Sequence, residues 1–260
     1  MNTLICILIF ILGLCAGSFV NVVIYRLPRR ESVVWPPSHC PACSARLAPC
    51  DLLPLISYIA LAGRCRYCTQ KIAVRYPLVE LACGLLFLAA AYRFGRSLTA
   101  FSLWFLLSLL LAISLIDLEH QRIPNLLVGV GMAAGVIFRL WGMLVSGLRF
   151  PVGGWLDALW GLLASGGLML IIFLASRGGM GGGDVKLAAL LGFWLGFKGA
   201  VITMILGFVS GALLGVVLIL LGLRRRRDLL PFAPFLNTGA LITVFWGSAL
   251  AEWYFKLIGW

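Results

Sequence analysis

The sequence predicts an all-α polytopic membrane protein of about eight transmembrane helices with one small cytoplasmic loop domain. Hydrophobic residues make up 62% of the 260 residues and charged residues only 12%, whereas soluble domains average about 45–50% and about 25%. The apolar residues form runs of roughly 20, which is the length of a helix that crosses a bilayer. One sizeable polar segment, residues 26–76, interrupts these runs.

Eight apolar runs are the candidate spans. The run at 185–197 is short for a hydrocarbon core of about 30 Å, so we expect it to be tilted, re-entrant or continuous with its neighbour, and seven spans stay possible. The first run begins without Lys or Arg and lacks a small-residue cleavage site, which favours a retained span over a signal peptide. The candidate spans are 3–24, 77–94, 98–116, 126–145, 155–176, 185–197, 200–222 and 237–257.

The net charge of +12 is concentrated in loops that eight spans place on one side of the membrane. The positive-inside rule makes that side cytoplasmic and places both termini outside. Topology accounts for most of the charge, so nucleic acid is not expected as a partner, whereas anionic membrane lipid or an acidic partner is a weaker alternative. The basic residues on that side are Arg26, Arg29, Arg30, Arg46, Arg64, Arg66, Lys71, Arg75, Arg122, Arg177, Lys186 and the four arginines at 224–227.

The polar segment 26–76 carries two Cys-x-x-Cys pairs. Cys40 and Cys43 form the first pair, and Cys65 and Cys68 form the second after 21 intervening residues. Thiolates at this spacing can bind one tetrahedral Zn²⁺ with Zn–S distances near 2.3 Å. A segment of about fifty residues has too little core to order itself, so a metal would staple it. The sequence therefore predicts a zinc-stapled loop domain whose metal is structural, because four protein ligands leave no open position.

Two redox pairs or disulfides are the alternative interpretation of these cysteines. A cytoplasmic location disfavours stable disulfides, because thiols are kept reduced there. Cys50 and His39 are possible substitute ligands, but they break the symmetry of the two pairs. The cysteines in apolar runs are interpreted as small packing residues; they are Cys6, Cys15 and Cys83.

The chain has only nine acidic residues, so the position of each is informative. Asp117 follows the third span, with Glu119 and His120 beside it, and Asp184 follows the glycine-rich GGMGGG and precedes Lys186. A carboxylate at mid-bilayer costs about 2.5–3.5 kcal/mol, so an acid at the edge of a span must face water or a polar cleft. Taken alone, Asp117 also fits an ordinary acid in a turn, and Asp184 also fits a helix N-cap.

The glycines around Asp184 favour a functional role, because an N-cap needs no glycine-rich approach. Glycine lets the backbone pass close to another chain or adopt a positive φ, which leaves room for an extended peptide beside the carboxylate. Two carboxylates brought together at a partly dry site cannot easily both be ionised. Such a pair supplies a general base and a general acid for the attack of water on a peptide bond. We therefore predict Asp117 and Asp184 as the catalytic residues.

Six stretches of the sequence occur in one order over almost the whole chain: GSFVNVVIYRLP, CPxC…CRxC, RYPLVEL, IDLEHQRIP, GMGGGDVKL and PFAPFL. They resemble the motifs of bacterial type IV prepilin peptidases, a family of membrane aspartyl proteases that are bifunctional leader peptidases and N-methyltransferases. The resemblance assigns the family's catalytic aspartates to Asp117 and to Asp184. The chain departs from the family at Glu119 and Asn125, where members often have Asp, which weakens any catalytic assignment for those two positions.

The resemblance implies a bacterial inner-membrane enzyme that cleaves the short basic leader of prepilins and pseudopilins at the cytoplasmic face. It further implies methylation of the new amino terminus with S-adenosylmethionine. No strand followed by a G-x-G-x-x-G turn marks a cofactor fold, so methylation rests on the resemblance alone. The family's amino-terminal glycine and asparagine correspond to Gly17 and Asn21, the candidate methyl-donor contacts. Helix packing in lipid is the alternative for Gly17.

The predicted organisation is a first transmembrane helix at 1–25, a cytoplasmic zinc-binding loop domain at 26–76 and a transmembrane aspartyl peptidase domain at 77–260. Two alternatives stay open: an intramembrane-type aspartyl protease without methylation, and a non-enzymatic zinc-loop assembly factor or transporter. A transporter usually buries polar groups at mid-span, whereas these spans are nearly free of charge, which disfavours a translocation path.

Overall fold

A computed structural model describes residues 2–146, 154–176, 179–223 and 230–257. The described chain is helical, and its only β-type pairings are two isolated bridges in the polar segment. The all-α fold class is thus confirmed, while the predicted loop residues 147–153, 177–178 and 224–229 lie outside the described ranges. The helices are α1 (Thr3–Arg26), α2 (Ile56–Ala60), α3 (Arg75–Phe94), α4 (Leu98–His120), α5 (Asn125–Ser146), α6 (Trp155–Ala175), α7 (Gly182–Leu220) and α8 (Ala233–Leu257).

Seven helices in the described ranges are long and apolar enough to cross a membrane. The runs predicted separately at 185–197 and 200–222 lie together in α7, which has 39 residues. Gly196 interrupts this helix with φ 70° and ψ 179°. A residue with a side chain is strained in that conformation. We call residues 182–195 the first arm of α7 and residues 197–220 its second arm.

The two arms of α7 run in opposite directions. Gly183, in the first arm, lies against Ile123 just after α4. The second arm packs on the beginning of α8, where Gly211 lies against Phe235, and α8 begins beside Asp117 at the end of α4. The beginning of the first arm and residue 211 of the second arm therefore both lie near the end of α4, whereas a straight helix of 39 residues would extend about 58 Å. If the two arms of α7 are counted separately, the described residues contain the eight apolar segments that the sequence predicts.

Residues Met1–Ala112 form one compact unit. In it, α1 and α3 approach so closely that an added Cβ on Gly13 would lie 2.7 Å from Gly84 Cα. Small residues at a helix interface are typical of membrane proteins, in which close van der Waals packing replaces the hydrophobic effect between helices. The amino-terminal part of α4 joins this unit through Trp104, whose ring stacks on Phe87 with a centroid distance of 5.0 Å.

Residues Ile113–Trp260 form the second compact unit. Its tightest packing is between α6 and the first arm of α7, where Gly161 and Gly192 face each other without room for a side chain. Ser165 of α6 donates a hydrogen bond to the carbonyl oxygen of Ala188 in the same interface at 2.7 Å. The first arm is therefore held along its length by α6. The division into 1–25, 26–76 and 77–260 stays a prediction.

Candidate active site and metal centre

Asp117 lies in the last turn of α4 and is buried, with 5% of its surface exposed. Its Oδ2 accepts a hydrogen bond from the backbone amide of Ala233 at 3.1 Å. Ala233 is the first residue of α8, and the amides at a helix amino terminus attract negative charge. The beginning of α8, which carries the PFAPFL stretch, therefore orients the Asp117 carboxylate.

Asp184 is the third residue of α7 and is half-buried. The N-cap of this helix is Gly181, so the alternative that Asp184 is itself the N-cap residue was wrong by three positions. The Asp184 carboxylate accepts a hydrogen bond from the backbone amide of Gly181, as an acidic residue at this position does in a capping box. The helix start thus fixes the direction of the side chain.

The structure brings the two predicted acids together at one end of the second unit. Asp117 and Asp184 lie close enough for the charge of one to act on the carboxyl group of the other. Beside them, Lys186 Nζ donates to Asn125 Oδ1 at 2.9 Å. The segments that carry Asp117 and Asp184 are therefore joined by a polar contact as well as by the packing of Ile123 on Gly183.

The glycines before Asp184 act here through close approach. None of the described glycines of this stretch has a positive φ. Gly183 has a specific packing reason, because an added Cβ would lie 2.9 Å from Ile123 Cβ. At its neighbour Gly182, an added Cβ would lie 4.0 Å from the nearest atom of Phe173, so there is room for a side chain. One glycine of the pair thus lets the segment after Asp117 approach the helix that carries Asp184.

Glu119 and His120 end α4 and lie next to each other, with His120 Nε2 and Glu119 Oε2 4.0 Å apart.

The contacts of Asp117 that sequence reasoning missed come from α8. Besides the Ala233 amide, Asn237 donates to Ser114 Oγ at 2.8 Å, one turn before Asp117. The signal in the sequence was the pair of prolines in PFAPFL, since proline is common at the first positions of a helix.

The two Cys-x-x-Cys pairs fold as copies of each other, 25 residues apart. In the first copy the amide of Ser44 donates a hydrogen bond to the carbonyl oxygen of Cys40 at 2.8 Å. In the second copy the amide of Thr69 donates one to the carbonyl oxygen of Cys65 at 2.9 Å. Ser44 and Thr69 both have a positive φ, 58° and 59°. Each copy is thus a tight turn that points two thiols to the same side.

The four sulfur atoms of these turns form one cluster. The Sγ atoms of Cys40, Cys43, Cys65 and Cys68 lie within 4.8 Å of one another, and Cys40 Sγ is 3.9 Å from Cys68 Sγ. A tetrahedral zinc with Zn–S bonds near 2.3 Å requires sulfur separations of about 3.8 Å. The cluster therefore fits a Cys₄ metal site, and Cys50 and His39 are not members of the group found among the described residues.

In the second turn the backbone stabilises the thiolate of Cys65. The amide of Tyr67 donates to Cys65 Sγ at 3.4 Å and lowers the pKa of that thiol, whereas burial beside the other thiols raises the pKa of Cys68. Asp51 accepts a hydrogen bond from Arg66 Nε at 2.7 Å, which holds the pKa of the Asp51 carboxyl below its usual value. This ion pair ties the segment between the turns to the second turn.

Gly17 and Asn21, the candidate methyl-donor contacts, both face α3 within the first unit. An added Cβ on Gly17 would lie 2.6 Å from Glu80 Cα. Gly17 therefore allows α1 and α3 to pack closely, which agrees with the alternative of helix packing. Asn21 is 1% exposed and donates from Nδ2 to the carbonyl oxygen of Tyr76 at 3.0 Å. Its buried Oδ1 has no hydrogen-bond partner among the described residues.

Comparison with known proteins places this architecture in a family. Residues 11–94 match the Bacterial Peptidase A24 N-terminal domain, and residues 104–216 match the Type IV leader peptidase family. A Prepilin leader peptidase/N-methyltransferase of Pseudomonas putida is 38% identical over 96% of this chain and 93% of its own length. The protein of that name from Bacillus subtilis is 34% identical over 96% of this chain and 98% of its own length. No solved structure matches significantly. The chain therefore belongs to the type IV leader peptidase family.

Proposed function

We propose that this protein is a bifunctional prepilin peptidase, which cleaves the leader of prepilins or pseudopilins and methylates the new amino terminus. The observation that carries the peptidase activity is the meeting of Asp117 and Asp184 at one end of the second unit. Relatives named for both activities favour this function over a protease without methylation and over a non-enzymatic assembly factor.

The two carboxyl groups suit hydrolysis of a peptide bond by activated water. An ionised carboxylate takes a proton from water as its oxygen attacks the scissile carbonyl carbon, and a protonated carboxyl gives a proton to the departing amine. The carbon–nitrogen bond breaks, leaving a carboxylic acid on the leader and a free amine on the pilin. The amides of Ala233 and Gly181 hold the two side chains in place, so the chain supplies both a proton acceptor and a proton donor at fixed positions.

The cysteine cluster supports a structural zinc ion. Cys40, Cys43, Cys65 and Cys68 would hold it, and their four thiolates would close its coordination shell. Bound there, the metal would crosslink the two turns of a segment that has little core of its own. The peptide hydrolysis uses the acids and not this site.

The proposed second activity is methylation with S-adenosylmethionine. It is supported by the names of the relatives. Gly17 and Asn21 are proposed as methyl-donor contacts, and the buried, unpartnered Oδ1 of Asn21 is the feature that supports this role. The zinc-binding segment 26–76 would contribute to the same activity.

The chain is a multi-pass inner-membrane protein, as its apolar helices and its family indicate. We propose that the acid pair and segment 26–76 face the cytoplasm, which the asymmetry of basic residues supports. Incubation of the purified protein with a candidate prepilin and S-adenosylmethionine, followed by mass spectrometry, tests both activities. We expect loss of the leader and gain of one methyl group; an intact prepilin would count against the peptidase, and an unmethylated mature pilin against the methyltransferase.

A further inference from the structure

The break in α7 at Gly196 separates two backbone groups that a continuous helix would pair. In an α-helix, the amide of Phe197 would bond the carbonyl oxygen of Phe193. Here the Phe193 carbonyl oxygen accepts from Arg139 Nη2 at 2.6 Å, and the Phe197 amide donates to Asp157 Oδ1 at 3.1 Å. Two side chains of opposite charge have replaced one backbone hydrogen bond.

The sign of each charge matches the helix end that it contacts. Arg139, which comes from α5, lies at the carbonyl end of the first arm, where a helix favours cations. Asp157, in the first turn of α6, lies at the amide end of the second arm, where a helix favours anions. The guanidinium and the carboxylate also attract each other. A buried charge inside a membrane protein is costly unless it is paired, and Arg139 is only 3% exposed.

The first arm links this break to the active site. Asp184 lies near the other end of the same arm, 12 residues before Gly196, or about 18 Å along the helix. The arm is packed tightly between the two ends, for example at Ala188, whose carbonyl oxygen accepts a hydrogen bond from Ser165 Oγ at 2.7 Å. Fixing the carbonyl end of a packed helix fixes the rotation and height of its amino-terminal side chains.

We propose that Arg139 and Asp157 are positioning residues for peptide cleavage, which act by capping the two helix ends at Gly196 and thereby fix the position of Asp184 relative to Asp117. This inference rests on the proposed peptidase function. It differs from a simple buried ion pair, because capping needs a hydrogen-bond donor at position 139 and an acceptor at position 157.

The kinetic test uses purified variants with a candidate prepilin. We expect Arg139→Met to lower kcat by about 100-fold, since a displacement of about 1 Å in a catalytic group costs this much, while KM stays within about threefold. Asp157→Asn keeps an acceptor for the Phe197 amide and should stay within about tenfold of the wild type. Thr203→Val is the matched control, because it removes a buried polar group of the second arm, bonded to Thr243 at 3.0 Å, and should leave kcat unchanged.

The exchanged pair Arg139→Asp/Asp157→Arg separates capping from attraction. It keeps both charges but places a carboxylate against a carbonyl oxygen and a guanidinium against an amide. We expect kcat to stay at least about 100-fold low in this variant. Recovery of wild-type kcat would overturn the proposal, as would wild-type kcat in Arg139→Met.

Hydrogen exchange tests the same proposal without any cleavage. Deuterium uptake by the first arm should rise in Arg139→Met, because loss of the cap allows the adjoining helical segment to open locally. Uptake by the first arm should stay at the wild-type level in Thr203→Val, which changes only the second arm. Unchanged uptake in the first arm would contradict the positioning role. If Asp117→Asn cleaved prepilin normally, the peptidase assignment would fail, and the exchange result would still decide whether Arg139 caps the helix.

Discussion

Asp117 and Asp184 each bond a backbone amide at the beginning of a helix, Ala233 for one and Gly181 for the other. An asparagine side chain accepts the same hydrogen bond about as well as an aspartate, but it cannot exchange a proton. We therefore predict that Asp117→Asn and Asp184→Asn each lower cleavage by at least about 100-fold. Insertion, zinc content and expression should be unchanged. The measurement is leader release from a prepilin, followed by mass spectrometry.

The two substitutions should not be additive, because the acids act as one unit. The double variant should cleave no more slowly than the slower single variant. Glu119→Gln is the matched control on the same helix end and should have a milder effect, since Glu119 contacts His120 there. Substantial cleavage by either single Asn variant would refute the acid pair.

Gly183 gives a second prediction at the scale of a single residue. An alanine there would place its Cβ 2.9 Å from Ile123 Cβ and push apart the segments that carry the two acids. We expect Gly183→Ala to lower the cleavage rate by about 10- to 100-fold. The assay compares it with Gly182→Ala, whose nearest neighbour is at 4.0 Å and which should remain close to wild type.

Partial rescue would identify packing as the cause of the Gly183 effect. The double variant Gly183→Ala/Ile123→Ala removes most of the side chain that meets the new Cβ, so it should regain activity relative to Gly183→Ala. Equal losses in Gly182→Ala and Gly183→Ala would contradict this explanation and would indicate a general need for backbone freedom in the stretch.

The sequence allowed candidate site residues to be proposed, but it did not predict the contacts that hold them. Cys-x-x-Cys spacing is local, so the zinc ligands could be proposed without a structure. The approach of Asp117 to Asp184 depends on how helices pack, which hydropathy does not report. Arg139 and Asp157 are isolated charges within long apolar runs and form no motif, so the sequence does not single them out. Their partners are backbone groups exposed only by the break at Gly196, which no side-chain pattern reveals.

At the scale of an element, the loop domain depends on its two cysteine turns. We predict one tightly held zinc ion, which is lost in the double variant Cys43→Ser/Cys65→Ser because two of its four thiolates are gone. Elemental analysis of the purified protein measures the metal, and limited proteolysis of residues 36–70 measures the loosening of the loop. Cleavage of prepilin should suffer less than the order of the loop.

Cys50→Ser is the control for the zinc prediction. Cys50 is an exposed cysteine of the same segment, and it is not a member of the sulfur cluster. Its replacement should leave the zinc content at the wild-type value. Unchanged zinc content in the Cys43→Ser/Cys65→Ser variant would contradict the Cys₄ site. Loss of zinc in Cys50→Ser would require a different set of ligands.

At the scale of the whole molecule, the parity of membrane crossings decides which side each end faces. If α7 crossed the bilayer once, the chain would have seven crossings and its two termini would lie on opposite sides. If both arms cross, the reversal at Gly196 makes α7 a hairpin of two crossings. A first arm of 14 residues, 182–195, extends only about 21 Å. This length is short for a core of about 30 Å, so we expect the bilayer to thin locally around this arm.

We therefore predict eight crossings, with both termini in the periplasm and residues 26–76 in the cytoplasm. Single cysteine probes replace Arg46 and Arg226, two residues of the predicted basic side, and a third probe follows the carboxyl terminus, in a background without Cys15 and Cys50. A thiol reagent that cannot cross the inner membrane should label the terminal probe in intact cells and reach the other two only after lysis. Labelling at position 46 in intact cells would overturn the orientation. If position 46 is protected, a single crossing by α7 would instead make position 226 accessible in intact cells and the terminal probe accessible only after lysis. That result would remove the hairpin at Gly196 as a pair of membrane crossings.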